Sequence, residues 1–237
     1  MKPLPFVLAV LLMTLSASAV KAAFALDDIE YWIGSGSNEA ALVIDWKSGN
    51  APTCLAWGYR WDDSATGEDM LTAIAGSGDI RSSNNGPVIG SADGADSRFG
   101  IQITDWGGSK TVFGLGYDVD DDGGFVYVNG ADETGHAADA DDNYHEGWDY
   151  GFWHYAVSTD GVNWDSSGFV GFSGRTLSTG DWDGWSWDPS FSFAVFPNEP
   201  AAATPEPGTI SLLALGVAAA LLRRCRKRQG CLANCGL

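Results

Sequence analysis

One short run of the sequence places carboxylates at alternate positions. Asp118, Asp120 and Asp122 alternate along it, and Gly123 follows where a tight turn would close. Alternate carboxylates on a tight turn can converge on one hard cation, and calcium prefers such oxygen ligands. The run therefore predicts a calcium site formed by these three side chains and the carbonyl of Gly124. A solvated acidic turn is the alternative.

The same run does not complete an EF-hand. Counted from Asp118, the twelfth position is Asn129, where an EF-hand loop needs an acidic ligand. A second acidic patch follows and could complete the site; its members are Asp139, Asp141 and Asp142. The pattern is accordingly compatible with a structural calcium loop between two strands and equally with a solvated acidic turn.

Two segments alternate aromatic with small or charged residues and then end on aspartate. In a strand, alternate residues share one face of the sheet. Aromatic faces can stack on sugar rings, so these segments predict a polysaccharide-binding surface. Burial in the core is the alternative for each ring, because aromatic side chains bury large areas. The candidate ligand-binding residues are Trp57, Tyr59, Trp61, Trp182, Trp185 and Trp187.

The sequence contains no motif with a defined catalytic mechanism. Glycoside hydrolysis needs two carboxylates. Acidic residues are so frequent in this chain that the presence of two does not indicate an enzyme. His154 lies between two aromatic residues of a predicted strand, and we expect it on an exposed sheet face rather than in a catalytic site. We therefore predict a non-enzymatic protein with no catalytic residues. A secreted glycan-active enzyme and a purely structural surface protein are the alternatives.

The acidic residues are concentrated in the middle of the chain. All 31 lie between Asp27 and Glu206, a stretch that contains only six lysines and arginines. Such a surface repels nucleic acid and anionic membranes, because phosphate binding needs basic side chains. It suits cations, neutral glycans and solubility outside the cell.

The N-terminus has the pattern of a secretory signal peptide. Lys2 precedes an apolar run over residues 4–15, and small residues with Ala-x-Ala spacing follow. A charged start, a short apolar stretch and such a cleavage site predict export, with residues 1–25 removed.

The C-terminus shows three features in a fixed order. Pro205, Glu206 and Pro207 are followed by an apolar segment and then by five basic residues over 223–228. Basic residues after an apolar segment keep that end in the cytoplasm. The order resembles the PEP-CTERM sorting signal of bacterial exported proteins associated with exopolysaccharide. The resemblance implies a partner protease of the exosortase type and transient anchoring in the inner membrane.

The region between the two ends is predicted to be an extracellular domain of residues 26–198. A linker over 199–208, a transmembrane sorting segment over 209–228 and a tail over 229–237 follow. Short β-branched and aromatic runs bounded by Gly and Asp indicate strands. Thr66 can cap a helix from Gly67 to Ala75. We therefore predict an all-β, antiparallel, jelly-roll-like sandwich with one short helix, flanked by a signal helix and a transmembrane helix. The predicted strands are 41–46, 55–61, 99–104, 111–117, 125–128, 152–157 and 191–196.

Overall fold

The structure is a computed structural model that describes residues 23–205, apart from residues 48, 78, 81–93, 106–109, 130–134, 149 and 168–170. The predicted transmembrane segment and all but the end of the predicted signal peptide lie outside the described residues. Among the residues described, no helix combines the length and the apolar character needed to cross a membrane.

The described residues are mostly β, with a single α-helix, as the sequence predicted. A 3-10 turn at Leu26–Asp28 opens the described chain. The elements that follow are β1 Trp32–Gly34, β2 Asn38–Asp45, β3 Cys54–Trp61, α1 Gly67–Ala75, β4 Asp79–Ile80, β5 Phe99–Asp105, β6 Lys110–Tyr117, β7 Tyr127–Asn129, β8 Gly135–Ala137, β9 Asn143–Glu146, β10 Phe152–Ser158, β11 Asp165–Ser166, β12 Trp182–Asp188 and β13 Ala201–Ala202.

Helix α1 begins and ends where its capping residues predict. The Thr66 hydroxyl accepts a hydrogen bond from the Asp69 amide at 3.2 Å, and the Asp69 carboxylate accepts one from the Thr66 amide at 2.8 Å. These bonds satisfy amide groups that the first helical turn leaves unpaired. Gly76 ends the helix with a φ of 99°, a conformation that glycine adopts without steric cost.

The larger sheet is mixed rather than antiparallel, which corrects the predicted strand pairing. Within the described residues it has the order β1-β3-β2-β12-β10-β11, and β13 also pairs with β3. The pairs β2–β3 and β10–β12 are antiparallel, but β2–β12, β1–β3 and β13–β3 are parallel. Parallel pairing is possible because a long stretch of chain separates β2 from β12, as a crossover requires.

The centre of the larger sheet is buried on both faces. One face packs into the main core through Leu42, Trp57 and Trp185. The opposite face carries a second apolar cluster that contains Val43 and Trp182 and is covered by the N-terminal turn and its flanking residues. This double burial explains why residues 40–44 of β2 form a continuous apolar run and do not alternate.

The smaller sheet, with the order β4-β5-β6-β9 in the described part of the chain, shares the main core with the larger sheet. The rings of Trp57 and Phe99 lie 4.9 Å apart between centroids. The Trp46 indole donates a hydrogen bond to the Leu115 carbonyl at 3.0 Å. Ile74 of α1 is fully buried in the same cluster. A separate hairpin is formed by β7 and β8.

Residues 191–196 do not form a strand, although their alternating pattern predicted one. Asp188, the last residue of β12, accepts hydrogen bonds from the amides of Ser192 and Phe193 at 2.8 and 3.0 Å. Phe193 has a φ of 55°, in the left-handed region. An aspartate that binds amides a few residues downstream favours a loop over a strand.

The folded domain continues into the segment predicted to be a linker. Ala201–Ala202 pairs with Leu55–Ala56 of β3, and the Ala203 amide donates to the Ala56 carbonyl at 2.9 Å. The last strand in the described part of the chain therefore ends three residues before Pro205.

Candidate functional site

The tryptophans predicted to bind a ligand lie inside the domain. Tyr59 is half-buried and stacks on Trp61, with 5.6 Å between ring centroids. A sugar ring cannot stack on an aromatic face that is already packed against protein. The structure therefore places these rings in the core, the alternative that the sequence left open. The buried ones are Trp57, Trp61, Trp182, Trp185 and Trp187, each at most 7% exposed.

The acidic run forms a tight turn after β6, organised around Asp118. The carboxylate of this buried residue accepts hydrogen bonds from the amides of Asp121 and Gly124 at 2.7 and 2.6 Å, and from Gly123 at 3.3 Å. Burial acts to raise the pKa of Asp118, but these amide donors outweigh it and hold the pKa below its usual value. Asp118 is therefore an ionised carboxylate fixed in position by the backbone.

The structure brings together a carboxylate set that differs from the predicted one. Oxygen atoms of Asp118, Asp120 and Asp142 all lie within 4.8 Å of one another. Asp122 is exposed and lies outside this group. Gly124 contacts Asp118 through its amide, and a role for its carbonyl stays a prediction. We call Asp118, Asp120 and Asp142 the carboxylate triad.

A second feature, the aromatic cavity, was not predicted from the sequence. It has a volume of about 240 Å³ and lies beside β10. Polar groups on its wall include Lys110, His154 and Ser166. Aromatic walls with a few polar groups are typical of small-molecule sites. The aromatic lining residues are Trp148, Phe152, Trp153, Tyr155, Phe172, Trp185 and Phe193.

Two of these aromatic residues are also exposed to solvent. Trp148 is 46% exposed and Phe193 is 58% exposed, whereas most aromatic residues in the described part of the domain are buried or half-buried. The Trp148 ring stacks on Phe152 with 5.8 Å between centroids and an interplanar angle of 10°. The Phe193 ring lies 4.7 Å from Phe152. The mouth of the cavity therefore offers aromatic surface on rings already positioned by their neighbours.

His154 is buried, so the prediction that it lies on an exposed sheet face is wrong. Its Nδ1 lies 2.8 Å from the Val195 carbonyl, and its Nε2 lies 3.1 Å from the Ser166 hydroxyl. The loop after β12 covers it, with the Phe196 ring 5.4 Å away. His154 thereby ties β10 to the loop that carries Phe193.

The inner wall of the aromatic cavity is positioned by ring stacking and hydrogen bonds. Tyr155 stacks on Trp185 at 4.8 Å, and its hydroxyl donates to the Asp183 carboxylate at 2.6 Å. Arg175 donates to the other oxygen of Asp183 at 2.7 Å. Burial raises the pKa of Asp183 to about 6, against the opposing effects of Tyr155 and Arg175. The wall is thus held by a buried network that fixes the Tyr155 ring.

Sequence reasoning missed Trp148 and Phe193 because its signal was alternation within strands. Trp148 follows Gly147, which has a φ of 121°. Such a residue sits outside regular strands, where aromatic side chains can be left exposed. The residues Asp188, Ser190 and Ser192 before Phe193 also indicate a turn rather than a strand. Aromatic residues flanked by turn residues were therefore the available signal.

The predicted sorting motif begins at the edge of the described chain. Pro205 is described and half-buried, whereas Glu206 and Pro207 lie outside the described residues. The carbonyl of Thr204 accepts a hydrogen bond from Arg98 at 2.6 Å. The residue before the motif is thus in contact with the folded domain.

Residues 203–227 match the family model of the PEP-CTERM protein-sorting motif. The match confirms the resemblance based on Pro205, Glu206 and Pro207 and the features after them. The motif indicates a protein that is exported and sorted to the cell surface, and exosortase recognises motifs of this kind. The comparisons with curated proteins and with solved structures find no match.

Proposed function

We propose that the β domain is a non-enzymatic module that binds polysaccharide at the cell surface, at the mouth of the aromatic cavity. The observation that supports this most directly is the exposure of Trp148 and Phe193 beside a concave, largely aromatic wall. Exposed apolar residues grouped at a concave aromatic wall are typical of ligand-binding grooves. A pyranose ring has an apolar face that can stack on such residues and hydroxyl groups that need polar partners.

The cavity wall supplies polar partners as well. Ser167 lines it, Ser166 does so while its hydroxyl contacts His154, and Lys110 does so while paired with Glu68 of α1. A volume of about 240 Å³ lies just below the range of about 300–1,000 Å³ typical of drug-sized ligands. This size suits one sugar residue of a longer chain, with its neighbours outside the cavity.

The charge of the domain favours a neutral polysaccharide. All 31 acidic residues of the chain lie between Asp27 and Glu206. A surface of this kind repels polyanions and gives no general barrier to neutral chains. Neutral glycans are therefore the ligand class of this proposal.

The proposal also assigns the C-terminal tail a role in export. We infer that the domain is a β-sandwich, because its two larger sheets share one core. After export, an exosortase-type protease would act at the motif that follows this domain. The apolar segment after the motif would hold the chain in the inner membrane until then.

Retention in gels that contain a neutral polysaccharide tests the proposal. We would compare the full chain, purified in detergent, in gels with dextran, laminarin or galactomannan. Trp148→Ala should weaken retention by at least about tenfold, the equivalent of about 1.4 kcal/mol of lost contact. Tyr150→Ala is the matched control, because Tyr150 is 71% exposed but does not line the cavity.

Three results would contradict the proposal. They are no retention in any gel, equal retention of both variants, and release of new reducing ends from a polysaccharide. The first would favour a purely structural surface protein. The last would favour a glycan-active enzyme, which uses a pair of carboxyl groups.

A further inference from the structure

A buried carboxylate oxygen in the carboxylate triad has no hydrogen-bond partner among the described residues. Asp142 is only 8% exposed, and its Oδ1 has no hydrogen-bond partner within the described part of the chain. A buried polar atom without a partner costs free energy, and a charged one costs more. An unpaired oxygen of this kind points to a ligand that the protein atoms do not supply.

The surroundings of Asp142 are strongly negative. Carboxylate oxygens of Asp118 and Asp120 lie within 4.8 Å of one of its own, and Asp139 and Asp122 add further negative charge around it. Repulsion between carboxylates that cannot move apart is relieved when a cation binds among them. The same arrangement is unfavourable for a solvated acidic turn, in which side chains would point apart into water.

We propose that Asp118, Asp120 and Asp142 bind one calcium ion. This proposal is independent of polysaccharide binding at the aromatic cavity. The three side chains supply oxygen atoms alone, the ligands of hard cations, whereas zinc sites prefer nitrogen and sulfur. Asp120 is exposed, so its side of the site is open to water molecules that would complete the six to eight ligands of calcium.

The fold brings these residues together by strand register. Tyr117 of β6 pairs with Asn143 of β9 in an antiparallel arrangement. Asp118 follows Tyr117 and Asp142 precedes Asn143. These two aspartates therefore lie opposite each other, one position beyond the paired residues. Opposite residues of an antiparallel pair lie about 4.5–5.5 Å apart. The contact is therefore set by the sheet and does not depend on a flexible loop.

The Asp142 side of the site is anchored by asparagines. The Asn143 side chain accepts from the Asn50 amide at 2.6 Å and donates to the Asn50 carbonyl at 2.9 Å. The Asn50 side chain donates to the Ala140 carbonyl at 2.8 Å. These bonds hold the turn before β9 against the loop between β2 and β3. Preorganised ligands of this kind favour metal binding, because little order has to be gained.

Calcium titration calorimetry on the full chain, purified in detergent and freed of metal with a chelator, tests the proposal. We expect one ion per chain, with an affinity of about 10⁻⁵–10⁻³ M, in the range of sensor and extracellular sites. Asp142→Asn should weaken binding by at least about tenfold. Asp141→Asn should change it by less than about twofold, because the exposed Asp141 side chain lies outside the triad.

Thermal unfolding distinguishes a role of Asp142 as a metal ligand from a purely structural role. Calcium should raise the melting temperature of the wild type and of Asp141→Asn, and should raise that of Asp142→Asn much less. With chelator, Asp142→Asn should melt at or above the wild-type temperature, because the substitution removes a buried carboxylate without a partner.

Several results would overturn the proposal. These are no heat of binding at millimolar calcium, an unchanged affinity in Asp142→Asn, or tighter binding of magnesium or zinc than of calcium. Melting of Asp142→Asn below the wild type in chelator would assign Asp142 a structural role instead.

Discussion

Arg98 donates a hydrogen bond from Nη2 to the carbonyl of Thr204 at 2.6 Å, and so links the buried core to the second residue of the segment that matches the sorting motif. The same guanidinium forms a two-point ion pair with Asp96, with both distances at 2.8 Å. Asp96 also accepts from the Trp57 indole at 2.9 Å. The start of the matched motif is therefore held by the core of the domain.

Removal of Arg98 should destabilise the domain strongly. Arg98→Met leaves the fully buried Asp96 without its counter-ion, and loss of one partner of a buried pair costs about 3–5 kcal/mol. The double variant Asp96→Asn with Arg98→Met should recover part of that loss, because it removes the unpaired charge. Urea denaturation of the three chains measures the free energies of unfolding.

The matched control is the exposed pair of Arg60 and Glu39. Their side chains are 40% and 37% exposed, so Arg60→Met should cost about 1 kcal/mol or less. Equal losses for Arg60→Met and Arg98→Met would contradict the structural role given to the buried pair.

Substitution of a buried tryptophan should destabilise the domain more than substitution of a half-exposed one. Trp57 is fully buried and donates to Asp96, so Trp57→Ala should cost about 3–5 kcal/mol or more. Trp148 is half-exposed, so Trp148→Ala should cost about 1 kcal/mol or less. The midpoints of urea denaturation of both variants measure this difference in stability. Similar losses would mean that the assignment of core and surface tryptophans is wrong.

Asp160 should contribute stability that is lost in acid. Its carboxylate accepts hydrogen bonds from the amides of Asn163 and Val162 at 2.7 and 2.9 Å, and these bonds lower its pKa in the folded chain. A lowered folded pKa stabilises the protein above the unfolded value of about 4, and the effect fades as the pH falls through the folded value.

Asp160→Asn provides the comparison, since its side-chain oxygen can still accept from both amides. The wild type should be more stable than this variant near neutral pH, and the difference in the free energy of unfolding should shrink towards about pH 2. Urea denaturation across this pH range measures it. A difference that stays constant with pH would exclude the proposed role of the carboxylate.

Local patterns in the sequence predict the secondary structure but not the site. The cap at Thr66 and the apolar runs of β2 and β3 are short-range signals, and the structure confirms the elements they predict. The contact of Asp142 with Asp118 depends on the register of β6 and β9, which no local pattern contains. A carboxylate triad can therefore be recognised only once the strands are paired.

The burial of the tryptophans predicted to bind a ligand could not be seen in the sequence for a related reason. Alternation shows which residues share a face of a sheet, and it does not show what covers that face. Trp185 faces the main core, while Trp182 on the opposite face is covered by N-terminal residues, with the Phe24 ring 6.4 Å away. Both faces are covered, so the aromatic residues that reach solvent are on loops instead.

Fluorine NMR of the full chain labelled with 5-fluorotryptophan tests polysaccharide binding at the aromatic cavity most directly. Its 11 tryptophans each give a signal, and the Trp148→Phe variant identifies the signal of Trp148. We predict that neutral oligosaccharides, cut from the polysaccharide that retains the protein in gels, shift the Trp148 signal and leave those of Trp57 and Trp182 in place. An unchanged Trp148 signal at saturating oligosaccharide, or a shift at Trp57 or Trp182 instead, would contradict the account.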